Sequence, residues 1–343
     1  MRRLLNTLYV TEKRQYLRLL NHNVVICDKN GEVGKIPLQN LEGIVAFEPS
    51  GATPNLMEEC AKNNISLNFL SYTGKFTMRV TGEQKGNVLL RKTQYRVSDD
   101  AEASMEYARN FIIGKIYNEV MVVNRYRRDH AIQVDEIHMK QIRDDLKAII
   151  AQCMTAKNVD SLRSLEGRAA EKYFAVFNDC ILNQKSDFKF VNRNRRPPTD
   201  RLNAMLSYTY TLLTMMCTSA LETVGLDPYV GFMHTDQPGR ASLALDLVEE
   251  LRSPYADRFV LSLINKRVIQ GDDFSVTEDG SVLMKDGARK RFLGFWEKKK
   301  HEEITHPYLN EKVEWGLIPY VQAILLARTL RGDLEVYPPF MWH

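Results

Sequence analysis

The sequence has no pair of cysteines at C-x-x-C spacing: its five, Cys27, Cys60, Cys153, Cys180 and Cys217, are odd in number and widely scattered. That pattern excludes a disulfide scaffold, a structural zinc site and a paired redox motif, and it fits free thiols in a reducing cytosol. No secretory leader is legible either, because Asn6, Thr7, Thr11, Glu12 and Lys13 interrupt any apolar run behind Arg2 and Arg3. Long hydrophobic runs are missing too. The one uncharged stretch of twenty residues, Leu202 to Leu221, holds nine Asn, Ser, Thr or Tyr, so it reads as a helix buried in a helical domain and not as a membrane span. The expected location is the cytoplasm. Excess charge of one sign is also scarce: a net +4 does not by itself dictate a nucleic-acid partner. There is no fixed-period repeat and no low-complexity tract.

What is present is an ordinary globular composition, 44% hydrophobic and 26% charged, which excludes a disordered or collagenous chain. At 343 residues the chain exceeds one comfortable core, so two domains are expected. The basic residues are clustered. Lys185, Lys189, Arg193, Arg195, Arg196 and Arg201 face only Asp187 and Asp200; Lys285, Arg289, Lys290, Arg291, Lys298, Lys299 and Lys300 face only Asp286 and Glu297. Such clusters can neutralise phosphates and release counterions, or serve as solvated loop charges.

The pattern predicts strands at Leu8–Val10, Tyr16–Leu20, Val24–Cys27, Gly34–Pro37, Gly43–Phe47, Ser66–Leu70 and Phe76–Thr81, separated by turn signals such as Asp28-Lys29-Asn30-Gly31 and Thr73-Gly74. Thr53 and Pro54 predict the cap and first residue of one intervening helix. From Ser98 the period becomes 3.6, with a helix opened by Ser98-Asp99-Asp100 and others over about 134–153, 159–182, 201–224, 241–269 and 311–331. The fold class is therefore α+β: a β-rich domain over residues 1–95, then a helical domain over 96–343.

His234 stands in Gly231-Phe232-Met233-His234-Thr235-Asp236-Gln237-Pro238-Gly239-Arg240, just before the predicted helix carrying Asp246 and Glu249, which share one helical face. An imidazole and carboxylates suit a divalent cation of the Mn or Mg kind. The bland alternative is a capping histidine beside solvated acids.

Several blocks together resemble the universal CRISPR adaptation integrase, the Cas-one family. In the β-rich part they are Ile36-Pro37-Leu38, Tyr72-Thr73-Gly74-Lys75-Phe76, and Gly86-Asn87-Val88-Leu89-Leu90-Arg91 with Gln94-Tyr95. The helical part adds Leu165-Glu166-Gly167 with Ala169-Ala170 and Tyr173-Phe174, Arg196-Pro197-Pro198 leading to Asn203-Ala204-Met205-Leu206-Ser207-Tyr208, and the Gly231 to Arg252 block. The likeness runs from end to end, and the wording of the blocks is closest to the subtype I-C branch.

The resemblance implies catalytic metal ligands at Glu166, His234 and Glu249, with Asp246 in a supporting place. A partly buried Glu166 needs a partner, either that cation or an arginine such as Arg163 or Arg168. The implied chemistry is a transesterification that joins prespacer 3′-hydroxyl ends to a CRISPR repeat, with no covalent protein intermediate. His234 has a second possible role as general acid toward the leaving 3′-oxygen, which competes with ligation. Asn203 and Tyr229 are candidates for the surround, as a phosphate contact and an aromatic near the DNA end, or else as a helix bridge and a core residue. Arg193, Arg195, Arg196, Arg240, Arg289, Lys290 and Arg291 are the expected contacts to the DNA backbone. The implied partners are double-stranded DNA, a second copy of the chain joined through the β-rich domain, and a Cas-two dimer, with no membrane. The competing readings are a metal-dependent nuclease on branched or single-stranded DNA, and a non-catalytic DNA-binding scaffold. The apolar tail Tyr337-Pro338-Pro339-Phe340-Met341-Trp342 is expected to pack on the helical domain or to dock a partner.

Overall fold

The computed structural model describes residues 6–12, 14–47, 50–71, 73–83, 87–194 and 197–343. They form two compact units, Met1–Gly86 with Asp286–Glu302, and Asn87–Lys285 with Glu303–His343. The boundary read at residue 95/96 therefore moves to 86/87, and a late segment of chain returns to the first unit.

The first unit holds two four-stranded sheets. Strands β1 (Thr7–Val10), β5 (Gly43–Phe47), β7 (Ser66–Leu70) and β8 (Phe76–Val80) form one, in the order β1-β5-β7-β8, with only the β7–β8 pair antiparallel. The other has the order β4-β3-β2-β6, from β2 (Tyr16–Leu20), β3 (Asn23–Asp28), β4 (Gly31–Pro37) and β6 (Gly51–Ala52). Helix α1 (Pro54–Lys62) begins as expected: the Thr53 hydroxyl accepts from the Leu56 N–H and Pro54 takes the first turn. Leu17, Val24, Ile44, Leu56, Leu67 and Phe69 meet in the core between these elements. Strand β5 is buried at all five positions, as a run of unbroken apolar character covered on both faces must be.

The second unit is helical: α2 (Val88–Asp99), α3 (Ala101–Asp129), α4 (Glu136–Thr155), α5 (Val159–Ala175), α6 (Arg201–Val224), α7 (Ser242–Leu251), α8 (Arg258–Asn265) and α10 (Ile318–Leu330). Between these lie the hairpins β9 (Phe274–Val276) with β10 (Val282–Met284) and β11 (Glu303–Thr305) with β12 (Lys312–Glu314). Helix α9 (Asp286–Lys300) belongs to the first unit. The α+β class follows. Among the described residues no helix is long and apolar enough to cross a membrane, and Leu202–Leu221 lies within α6 with Leu202, Met205, Leu206, Leu213, Cys217 and Leu221 buried.

Local chemistry sets the helix starts around the site. The Asp100 carboxylate accepts from Glu102 and Ala103 N–H to open α3, and Asn158 accepts from Ser161 N–H to open α5. The helix expected over 241–269 is interrupted by a π-turn at Arg252–Asp257. Pro254 lies inside it, where its missing N–H and its ring would break a tighter ladder. The last helix starts at Ile318 and not near 311, because Lys312–Glu314 pair as a strand with Glu303–Thr305.

Candidate active site

The loop before α7 is organised by one buried carboxylate. Asp246 is fully buried and accepts from the backbone N–H of Phe232 (2.7 Å), Met233 (3.1 Å) and His234 (3.0 Å). It also lies 2.7 Å from His234 Nδ1. With four donors spread over its two oxygens, Asp246 orients the imidazole, and Nε2 is left to carry the lone pair. Gly231 makes room for this loop: a Cβ there would stand 2.8 Å from Asp246 Oδ2 and 2.9 Å from His234 O.

Glu166 on α5 and Glu249 on α7 meet on α3. Lys115 Nζ donates to Glu166 Oε1 and lies 2.7 Å from Glu249 Oε2. Helix α3 packs against both α5 and α7, so its inward face delivers the ammonium to both acids. Arg252, from the π-turn, donates through Nη1 to both Glu249 oxygens at 2.8 and 3.0 Å, and its guanidinium covers the Tyr210 ring at 4.6 Å. Burial alone would raise the Glu249 carboxyl, but Arg252 and Lys115 outweigh it and hold it well below the usual carboxylate range, with a smaller contribution from His234. Burial would likewise lower the Lys115 ammonium, and Glu249 and Glu166 raise it instead. One turn along α3, buried Glu119 is pushed up to about 8, first by burial.

Arg163 and Arg168 do not partner Glu166. Arg163 donates to the Met233 carbonyl at 2.7 Å and to Asp160 at 2.8 Å, and so ties α5 to the residue before His234. Arg168 donates to Gln152 at 3.1 Å. Lys115 is the partner that sequence reasoning missed. Its signal was present: Lys115 and Glu119 fall at helical spacing after Phe111 and Ile112, on a face that is mostly apolar.

As donors, two carboxylates drawn to one positive head and an imidazole fixed by a carboxylate suit a hard divalent cation. Among the described residues, however, no three or more His, Cys, Asp and Glu side chains already stand in a metal-holding group. Glu166 and Glu249 converge on Lys115, and His234 engages Asp246.

The remaining candidates divide. Asn203 is fully buried and bridges the loop before α6: Oδ1 accepts from Arg193 Nη1 (2.6 Å), and Nδ2 donates to Asn192 O (2.8 Å) and Asp200 Oδ2 (2.6 Å). It knits protein to protein, the bridging alternative of the two expected for it. Arg193 is used in the same network, reaching Ser207 Oγ at 3.0 Å and lying over Tyr210. Arg289 is turned inward, pairing with Asp286 and lying 5.3 Å over Phe47, so in this structure its charge is used within the protein. Arg240 binds its own loop, through Thr235 and Ser242. Lys290 is exposed and pairs with Glu12, Arg291 is exposed, and Tyr229 is 41% exposed. Arg195 and Arg196 lie outside the described residues.

Residues 8–298 match the family described as CRISPR associated protein Cas1. The chain belongs to the Cas1 family. It is 44% identical over 342 residues to CRISPR-associated endonuclease Cas1 1 of Chlorobaculum tepidum, with 100% of both chains covered. The Cas1 fold is shared by a casposase bound to its integration product, at TM-score 0.85 and 23% identity over 99% of this chain and 95% of that one. It is shared also by a chain of a Cas6-RT-Cas1–Cas2 complex, at TM-score 0.81 and 22% identity over 98% of this chain and 36% of that one.

Proposed function

We propose that this Cas1 family member is the metal-dependent DNA integrase and endonuclease of CRISPR adaptation, joining prespacer 3′-hydroxyl ends to a CRISPR repeat by transesterification. The observation that carries the reading is the meeting of Glu166 and Glu249, from two different helices, at one cationic head, with an imidazole fixed by Asp246 near enough to help hold Glu249 low. Glu166, Glu249 and His234 Nε2 are the groups that would hold a Mn or Mg ion. When bound, that ion supplies polarisation of a phosphoryl oxygen and stabilisation of the leaving alkoxide. Asp246 keeps the imidazole in one tautomer and one orientation. Arg252 fixes the Glu249 carboxylate by two hydrogen bonds from one nitrogen, and Arg163 holds α5 to the His234 loop. The protein's task in an in-line displacement is positioning and charge placement, so no nucleophilic Ser or Cys is required.

The proposed partners are double-stranded DNA, a second copy of this chain joined through its first unit, and a Cas2 dimer. A solved structure containing Cas1 with Cas2 and a casposase bound to integration product support the Cas2 and DNA partners by likeness of fold; the second copy rests on the sequence resemblance alone. The subtype I-C placement rests on the wording of the sequence blocks alone.

A strand-transfer assay with labelled prespacer, a supercoiled CRISPR plasmid and Mn²⁺ tests the reading. Wild-type protein is expected to yield joined product, and Glu166→Gln and Glu249→Gln to lose it while remaining folded. Cleavage without joining makes the protein a nuclease; DNA bound equally well by wild type and Glu166→Gln, with no product from either, makes it a scaffold.

A further inference from the structure

The two glutamates are already neutralised. Lys115 is 3% exposed and shared between Glu166 and Glu249, while Arg252 holds Glu249 from the other side. Glu166 and Glu249 thus face two cations, with Glu119, raised by burial, beside Lys115 and Asp257 beside Arg252, in a largely buried cluster where unbalanced charge is costly. A divalent ion entering between the glutamates needs the place that the ammonium holds. The two cations are not equivalent. Arg252 is a rigid fork locked on the Tyr210 ring, and Tyr210 is itself anchored by its hydroxyl on Asp257 at 2.5 Å. Lys115 is a point charge on a flexible four-carbon stem, the more adaptable of the two.

We propose that Lys115 is a built-in counter-cation that keeps Glu166 and Glu249 together before loading, competes with the metal for both, and makes metal uptake depend on DNA. The proposal rests on the metal reading above. An added divalent ion leaves the cluster with surplus positive charge, and a phosphodiester brings the negative charge that offsets it. By linkage, DNA then tightens metal binding and metal tightens DNA binding by the same factor. Lys115 is a positioning residue in this scheme: it sets when and where the site is loaded and does not itself react.

Mn²⁺ binding to the full chain, measured by titration calorimetry or by the loss of the free-ion paramagnetic signal, tests this without any turnover. A short duplex ending in 3′-deoxy nucleotides, unable to react, serves as the DNA. Wild-type protein is expected to bind Mn²⁺ weakly alone and about tenfold or more tightly with the duplex. Lys115→Met is expected to bind Mn²⁺ about tenfold more tightly than wild type without DNA, with the effect of DNA much reduced, whereas Lys115→Arg stays weak. Equal or weaker binding by Lys115→Met, with binding lost in Glu166→Gln, overturns the counter-cation and leaves the metal site standing. Equal binding by wild type and Glu166→Gln overturns the metal reading and the proposal with it. If Lys115→Met does not fold alone, Mn²⁺ added during refolding is expected to restore it, because the ion replaces the lost ammonium; failure of Mn²⁺ to do so counts against the proposal.

Discussion

At the scale of single residues, the position of His234 depends on its neighbours. Replacing Gly231 by Ala puts a methyl 2.8 Å from Asp246 Oδ2 and 3.0 Å from Ser242 C, with backbone on one side and a fully engaged carboxylate on the other. We expect Gly231→Ala to lower the unfolding free energy by about 1–3 kcal/mol, read as a drop in melting temperature, and to reduce strand transfer further than the stability loss explains. Asp246→Asn replaces one acceptor oxygen by an amide that faces N–H donors, and it removes the charge that orients the ring. It is expected to weaken Mn²⁺ binding about 10- to 100-fold in titrations while the protein stays folded. The sequence shows His234 and Asp246 twelve residues apart, but spacing does not distinguish a ligand from the carboxylate that holds the ligand. Both make the same residue pattern, and it is the convergence of three backbone N–H groups on Asp246 that shows this carboxylate anchoring its own loop. For Lys115 the local spacing signals burial but not pairing: its partners lie 51 and 134 residues away, and no local pattern records them.

At the scale of elements, the C-terminal tail acts as a strap on α3 and α7. Glu250 accepts from Phe340 N–H (2.6 Å), Tyr337 OH (2.6 Å) and Gln322 Nε2 (2.9 Å). Asn118 donates to Glu250 O and Phe340 O, both at 2.7 Å, and accepts from Trp342 N–H at 2.7 Å. Gly114 lets the strap close down, since a Cβ there would stand 2.8 Å from Pro339. Trp342 is covered by Arg258 at 4.1 Å and Arg125 at 5.3 Å. The tail therefore packs on its own unit, the first of the two alternatives its apolar run left open. Glu250 adjoins Glu249 in sequence, so the strap and the site share one turn of α7. Deleting residues 337–343 strands Glu250 and Asn118 in the core and is expected to cost about 3 kcal/mol or more, visible in urea or thermal unfolding.

The same element carries a pH dependence. Burial pushes Glu250 up to about 8 against the hydrogen bonds from Phe340, Tyr337 and Gln322. A carboxyl raised on folding binds its proton more tightly in the native state, so its contribution to stability is full at acid pH and is lost as pH rises from the ordinary carboxylate range through about 8. Glu119 acts in the same direction. Glu249, held low, acts in the opposite one: its stabilisation is present above the ordinary carboxylate pKa and is lost as pH falls through its lowered one. Glu250→Gln keeps the shape without the titration. Unfolding free energies between pH 5 and 8 are expected to fall less steeply in Glu250→Gln than in wild type; equal slopes contradict the assignment. Element boundaries were less legible than the tail. The turn at Arg252–Asp257 looks like continuous helix by periodicity, and α9 looks like a charged loop because its apolar residues Phe292, Leu293 and Trp296 are spaced among basic ones.

At the scale of the whole molecule, the α+β class, most strands and the longest helices follow from apolar periodicity, because each is a local pattern. The membership of α9 is not, since it depends on what lies hundreds of residues earlier. Within the first unit, Glu297 accepts from Tyr9 OH at 2.9 Å and pairs with Lys300 at 2.8 Å, and Lys300 reaches Thr7 Oγ1 at 2.9 Å. Trp296 and Phe292 are buried there. A fragment of residues 1–86 is therefore expected to remain unfolded by circular dichroism and amide exchange, and a peptide of residues 286–302 added in excess to restore structure; a well-folded 1–86 fragment would contradict this.

Because the first unit is closed by a helix that follows only after the whole of residues 87–285, the order of synthesis and the order of completion differ. A ribosome releases the β-rich segment early, and all of 87–285 must emerge before α9 can reach Thr7 and Tyr9. Newly made chains thus carry an unfinished first unit through most of translation, a period in which chaperone cover or slow codons would matter more for the β-rich segment than for the helices made after it.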